Sequence, residues 1–570
     1  MNTEARFLLA IGLMLVVLVG TNILFPPTPP EEVPVDSIPG APAVTVDSGG
    51  DPVLPPGLRA EPAPDTAAAA VEPAVVAERE VVVEGPLYRF TFSNVGARLL
   101  GAEMLRFQSL NRVGVVDLLP EGAQGYLGHK LLVGRDTVDL ERAAFDVEPS
   151  DGLRLGPGSG PGTLRFRYSH PTLPFNFEVA YTFAPEAYQI HVEGRVEGVD
   201  RPLLITDLGE GLAYSEADSA GEARSMAYVG NHVQNGIRSQ LLSRAEPGVE
   251  DGPLLWAALR SKFFVLALLG GTDADISESD YLGGLIIRES ALDERVRVLA
   301  TQSVGAGGEF GYRLFVGPQD YARLSSLGED LEEVNPYGWR FVRPIVRPFV
   351  SIITTILTYL HNQLSLAYGW VLVVFGVLMR VVLWPLNQKA MRAQLKNMAV
   401  QPLVQEIQAK HKDNPERLQK EMMKLYKEHG FNPLAGCLPM LLPWPVLIAL
   451  FFVFQNTIEF RGVPFLWLPD LSAPDPIYVL PLFLGLSMFL MQWVSMRSIE
   501  QPNPQMKMMM WIMPVFMVFI FFRLASGLNL YYATANIATI PQQIWINNER
   551  KKVRAAGPPK APGKVSSKKG

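Results

Sequence analysis

After Pro336 the chain carries five apolar blocks, at about 364 to 386, 438 to 458, 477 to 495, 508 to 525 and 527 to 546. Each is close to the roughly 20 residues that a helix needs to cross a hydrocarbon core of about 30 Å. No other feature narrows the fold as much, because backbone amides in lipid have only other protein groups to bond, and blocks of this length must then be helices. The last two blocks are separated only by Arg523 to Gly527 and should form a tight helical hairpin. Phe7 to Phe25 is a further uncharged run, between Arg6 and Pro26-Pro27. It reads as an uncleaved anchor: its apolar core exceeds the roughly 7 to 15 residues of a signal peptide and no Ala-x-Ala follows closely. Pro348 to Leu360 is uncharged for only 13 residues, behind Trp339, Arg340, Arg343 and Arg347, so residues 336 to 363 are expected to form an amphipathic helix lying in the membrane interface.

Charge gives the orientation. Up to Asn335 there are 25 Lys and Arg against 47 Asp and Glu; from Pro336 onward the count is 25 against 10. The two parts therefore face different surroundings. Nine bases lie in Leu386 to Pro433 and eight after Asn547, whereas the connection 459 to 476 has only Arg461. The positive-inside rule puts the first two in the cytoplasm and the third outside. One span in front and five behind then give a multi-pass protein with both termini cytoplasmic and the region before Pro336 on the outer side.

Residues 26 to 80 are rich in Pro, Ala, Val and acid, with only Arg59 and Arg79 as bases, and form a disordered linker. From 81 to 335 the apolar period becomes two. Phe175, Phe177, Val179, Tyr181 and Phe183 fall on one side of an extended chain, and Tyr88 to Phe92, Leu164 to Tyr168 and Tyr188 to Val192 repeat the pattern. About 250 such residues predict one large antiparallel β-sandwich. The glycines at 156 to 162 sit among prolines between strands with no helix following, and read as a turn rather than a phosphate loop.

Arg380 interrupts an otherwise apolar span, a position costing about 2.5 to 3.5 kcal/mol at mid-bilayer. Glu459, the carboxylate nearest the spans, belongs at the opposite surface. Arg380 must then face water in a hydrophilic cavity open to the inner side, or else snorkel to the headgroups; the cavity is the expectation carried forward. Gln455, Asn456, Gln492, Asn529, Thr534, Asn536, Thr539, Gln542 and Gln543 suit such a cavity, although each can equally serve an interhelical hydrogen bond. Nine of 19 methionines fall between Met488 and Met517, which fits an adaptable groove or plain lipid-facing packing. Residues 387 to 430 read as an amphipathic helical hairpin, with one apolar stripe at Met391, Leu395 and Met398 and a second at Leu418, Met422, Leu425 and Tyr426. The single cysteine, Cys437, and seven histidines without ligand spacing leave no metal or cofactor site, and no nucleophile with an adjacent base is seen near Arg380. An enzyme is not expected.

Asn432-Pro-Leu-Ala-Gly-Cys-Leu-Pro439, Arg380 followed by Trp384-Pro385-Leu386, Ser526-Gly-Leu-Asn-Leu-Tyr-Tyr532 and Gln542-Gln543 resemble the YidC/Oxa/Alb family of membrane protein insertases. Phe92-Ser-Asn-Val-Gly-Ala97 and Gly317-Pro-Gln-Asp-Tyr321 resemble the periplasmic domain of its Gram-negative members. The resemblance implies an insertase and chaperone of the bacterial inner membrane. Its groove would be lined by Arg380, Tyr532, Gly376, Gln455, Gln492 and Asn536, with a slide along the spans at 438 to 458 (Trp444, Leu447, Phe451) and 508 to 525 (Met513, Phe516). Partners it implies are nascent membrane proteins, membrane lipids, the Sec translocon with its accessory subunits, and the ribosome. The last would be met through the hairpin (Lys410, Lys412, Lys420, Lys424, Lys427) and the basic tail (Lys551, Lys552), without sequence-specific nucleic-acid contact. The β domain resembles carbohydrate-binding sandwiches. Pro443 stands where the family commonly has glutamine, and Ala435 replaces a frequent glycine.

Two other classes fit the sequence less well. A small-anion transporter or channel using Arg380 would favour inverted repeats or broken paired spans, and none is visible. A carbohydrate-binding protein merely anchored by its spans leaves Arg380 and the basic hairpin unexplained.

Overall fold

The computed structural model describes residues 77 to 335 except 124, 135, 172–173, 273–276 and 291–295, then 343 to 385, scattered positions between 388 and 425, 444 to 497, and 504 to 555. The anchor at 7 to 25, the linker up to 76, most of the hairpin, Ala435, Pro443 and the tail beyond 555 lie outside the described residues.

The period of two is realised as two sheets face to face. One has five strands, among them Glu80–Glu84, Tyr88–Ser93 and Leu99–Gln108; the other has 14. In Asn176–Phe183 the residues Phe177, Val179, Tyr181 and Phe183 are buried, with Glu178, Ala180 and Thr182 less so, and the strand pairs antiparallel with Gly162–Ser169 and Gln189–Glu197. Phe92 of the small sheet meets Phe166, Tyr181 and Phe183 of the large one at 5.2 to 6.1 Å between ring centroids. These aromatic contacts hold the two layers together. One pair departs from the antiparallel expectation: Glu80–Glu84 runs parallel to Leu153–Arg154, a connection between distant strands that no local pattern announces. The sheet begins at Glu80, one residue inside the expected linker, and the β region closes with the turn Leu331–Val334.

Among the described residues six long helices follow: α1 (Arg343–Leu364), α2 (Tyr368–Pro385), α3 (Trp444–Asn456), α4 (Val479–Met496), α5 (Pro504–Phe521) and α6 (Ser526–Ala555). Three of them, α1, α2 and α4, are long and apolar enough to cross a membrane. The described parts of α3 and α5 have shorter apolar stretches, and α6 is long but polar. One expectation changes. α6 continues nine residues beyond 546, and the side-chain amide of Asn547 donates to the Val494 carbonyl of α4 at 2.6 Å. α1 is 22 residues long, with Arg343, Arg347 and His361 helical along with the uncharged run.

The surroundings of α1 nevertheless keep its whole length at one level. Near its start, Arg347 bonds Asp330, Glu332 and Glu333 of the β domain at 2.7 to 3.0 Å, and Arg343 bonds the Ile237 carbonyl. Near its end, His361 stacks on Tyr368, which meets Phe460, the neighbour of Arg461. Arg461 in turn is held by Glu216 of the β domain. A helix of this length measures about 33 Å. With both ends on the β-domain side, it lies along that side instead of passing away from it. Val346, Val350, Ile353 and Leu357 form its buried stripe, and Ile345, Ile352, Tyr359 and Leu364 remain exposed.

Arg461 is the main tie between the sandwich and the helices. Its Nε bonds Glu216 at 2.6 Å, its other nitrogens bond the carbonyls of Gln108 and Ser215, and its guanidinium lies over the Phe264 ring. The side chains of Arg461 and Glu216 are 3% and 7% exposed, so neither charge has water to fall back on. Arg461→Ala should weaken the tie by about 3 to 5 kcal/mol by stranding the buried Glu216 carboxylate. The paired change Arg461→Met with Glu216→Leu should recover much of that, as read from thermal unfolding and from proteolysis of the 457 to 476 segment.

Candidate functional site

The segment 457 to 478 folds into a cap over the helix ends on the β-domain side. Asp470 accepts from the Gly462 and Ser472 amides and from the Ser472 hydroxyl; Asp475 accepts from the Ile477 and Leu480 amides. Each carboxylate is buried, and each is satisfied by backbone groups that would otherwise be orphaned. The cap grips α6 directly: the Gly527 amide donates to the Leu471 carbonyl, and both the amide and hydroxyl of Ser526 donate to Ala473, all at 2.8 Å. Glycine is required at 369, where an added Cβ would lie 2.1 Å from the Phe465 ring of the cap.

One to two turns below the cap, four helices converge on Tyr531 and Tyr532. Tyr531 is buried between Phe375 of α2 and Phe454 of α3, with centroids 5.7 and 5.9 Å away; half-buried Tyr532 meets Phe521 of α5 edge-on at 5.2 Å. Asn529 closes the end of α5 by donating to the Phe521 and Leu524 carbonyls. Arg380 lies one turn further along α2 from Gly376, within electrostatic reach of both tyrosines. It is about 18 Å along the helix from Tyr368. Among the described residues no carboxylate lies within ion-pair distance of it. The structure thus brings Arg380 and Tyr532 near each other and adds Tyr531 with Phe375 and Phe454 around it; the two phenylalanines carry no signal in the sequence that sets them apart from other apolar residues.

Gly376 and Asn536 have other duties. A Cβ on Gly376 would meet the Thr534 methyl at 3.3 Å and the Tyr531 carbonyl at 3.5 Å, so the glycine lets α2 and α6 approach and is not open to a groove. Asn536 is 6% exposed and donates to Ser487 on α4 at 3.1 Å; Gln543 donates to Ser495 at 3.0 Å. These contacts, with Asn547 below them, form a polar seam between α4 and α6. Ser487 and Ser495, eight residues apart, match Asn536 and Gln543, seven apart, so the spacing of small polar residues in the block 477 to 495 was the available signal. Gln455 and Gln492 are half-exposed on α3 and α4.

Of the slide residues, Phe451 and Phe516 are exposed and Leu447 and Met513 half-buried; Trp444 opens α3, and its side chain is outside the described part. α5 packs on α4, where Gly485 lies against Val518 and Pro514, and leaves Trp511, Val515 and Phe519 exposed. Lys410, Lys420, Lys424 and Lys551 are exposed, whereas Lys412 and Lys427 and the side chain of Lys552 lie outside the described residues. Among the described residues no group of three His, Cys, Asp or Glu could hold a metal ion.

Two family models match the chain: the 60Kd inner membrane protein over residues 359–553 and the YidC periplasmic domain over 80–352. The membrane protein insertase YidC of Chlorobaculum tepidum is 30% identical over 85% of this chain and 86% of its own. That of Chlorobium luteolum is 31% identical over 83% of each. A crystal structure of an active YidC insertase with its first transmembrane domain resolved covers 83% of this chain and 93% of its own, at 17% identity and a TM-score of 0.34.

The close approach at Gly376 yields a graded expectation. Gly376→Ala needs Thr534 to yield by a few tenths of an ångström and gains up to about 1 kcal/mol of helix propensity, so its melting temperature should stay near that of the parent. Gly376→Leu should separate α2 from α6 and lower the melting temperature in detergent by several degrees.

Proposed function

The chain belongs to the YidC family of membrane protein insertases, and on that footing we propose that it inserts nascent proteins into the bacterial inner membrane. It captures a hydrophilic stretch at Arg380 and releases the neighbouring apolar segment into lipid. The observation that carries the reading is a guanidinium about 18 Å below the outer end of α2, beside Tyr531 and Tyr532, with no carboxylate partner among the described residues. An arginine in that condition supplies attraction to an incoming acidic group without first having to break an internal pair. At 4 Å and an effective dielectric constant of 20 the attraction is about 4 kcal/mol before desolvation, enough to hold a segment transiently and little enough to release it.

The cap at 457 to 478 supports a one-sided path. With Ser526 and Gly527 bonded to it, a segment entering from the inner side has no open exit at the outer end and must leave sideways. The exposed apolar side chains Phe451 and Phe516 suit that lateral exit, with Leu447 and Met513 beside them and Trp444 at the start of α3. Transfer of an apolar segment into lipid, at about 25 cal/mol per Å² removed from water, supplies the driving force, so neither nucleotide nor metal is required and the protein is not an enzyme. In this reading α1 lies in the outer interface with Ile345, Ile352 and Tyr359 toward lipid. Both termini are cytoplasmic, the basic hairpin and tail meet the ribosome, and the Sec translocon is a partner for larger clients.

Arg380→Ala should lower insertion of a small client with an acidic outer segment by about 10- to 100-fold, the range set by a charged hydrogen bond of about 1.5 to 3 kcal/mol. Arg380→Lys should retain most activity, and a client with a neutral outer segment should be insensitive to both. The measurement is protease protection of the client in vesicles containing each variant; full activity of the alanine variant on the acidic client would remove Arg380 from the mechanism.

A further inference from the structure

Between the two ties of the β domain to the helices, the Arg461 cluster and the Arg347 cluster, lies a cavity of about 30 Å³, room for about two water molecules. The β domain lines it with Gln319, Tyr321, Leu324 and Glu332, α1 with Val350 and Thr354, and the outer end of α3 and the turn after it with Val453, Asn456 and Glu459. Glu459 is the residue the rest of the structure does not account for. Among the described residues it is the one carboxylate that the helical side contributes to the lining of this cavity, and no Lys, Arg or His lies within ion-pair distance of it.

The charges that face Glu459 do not help it. From the β domain come Asp320, already engaged by Arg323 and by the amides of Ala322 and Arg323, and Glu332, already engaged by Arg347. Tyr321 completes that side, α1 contributes only Val350 and Thr354, and α2 brings the Tyr368 ring. Among the described residues, two carboxylates face a third and no cation pairs with it. Burial, opposed in part by its own backbone amide and reinforced by the charge of Asp320, pushes the Glu459 carboxyl up to about 7.

We propose that the Glu459 cavity is a proton-sensitive latch between the β domain and α3, seated when the carboxyl is neutral and loosened when it is charged. The sign follows from linkage. A carboxyl bound more tightly to its proton in the seated state than in the open one favours seating below the open-state value near 4.5, and loses that contribution as pH rises through about 7. Because α3 also carries Phe454 against Tyr531, the latch ties the acidity on the β-domain side to the freedom of one wall of the Tyr531 cluster. The latch needs no client, so it can be tested apart from the Arg380 reading.

The test is amide hydrogen exchange on the full chain in lipid nanodiscs, comparing native protein with Glu459→Gln at equal pH so that the intrinsic exchange rate cancels. At pH 8 the glutamine variant should protect Phe452 to Glu459 and Leu331 to Val334 at least tenfold more than the native chain. At pH 5 the gap should shrink to about fivefold or less. Asp320→Asn keeps a good helix cap and removes a repelling charge, so it should move the native pH response in the same direction by a smaller amount and serves if the glutamine variant folds poorly. Equal protection at pH 8, or a gap that does not change with pH, would overturn the latch.

Discussion

A backbone amide inside hydrocarbon has no water to bond, and an ionised side chain there has none to solvate it; the helical half of this protein is arranged around those two facts. The first makes helices of the apolar blocks and demands that their outer ends be closed. The cap at 457 to 478 does this with Asp470 and Asp475, each spending its lone pairs on amides of its own segment, and with carbonyls offered to Ser526 and Gly527. The second leaves Arg380 as the group that lipid alone cannot accommodate, and it lies beside two tyrosines, on the far side of them from the cap.

The sandwich is bound to this arrangement by charge. Arg461 and Arg347 reach across the junction to four carboxylates, and both arginines come from the helical side, which agrees with the opposite net charges of the two halves. The Arg461–Glu216 pair is buried, so it costs desolvation as well as returning attraction and its clearest contribution is to fix one orientation of the partners, whereas Arg347 stays partly in solvent and its pairs hold more weakly. Glu459, a negative charge facing negative charges in the same junction, is the exception, and that exception is why the junction can respond to protons.

Much was legible before the structure. The period of two puts Phe177, Val179, Tyr181 and Phe183 on one buried face, because alternation is written locally in the chain. Arg380 announced itself as a charge in an apolar run. The polar residues of the last block were noticed too, but their duties were not: Asn536 and Gln543 bond serines on α4, and Gly376 meets α6. Hydropathy records how polar a residue is and not which neighbour it will find. At α1 the charged residues flanking the uncharged run are helical as well, and what the run alone did not show is which partners Arg343 and Arg347 would bond.

The amino-acid sequence by itself determined which stretches are strands and which are helices, the presence of one arginine among apolar residues, and the family, because each of these rests on local composition and spacing. Only the tertiary structure decided that α1 keeps both ends near the β domain, that Tyr531 gathers Phe375 and Phe454 around it, and that Arg461 meets Glu216 across 245 positions of chain. Those facts depend on which residues distant in sequence come within a few ångströms, and the free energy of a buried charge or a helix crossing is set by that neighbour and not by the residue alone.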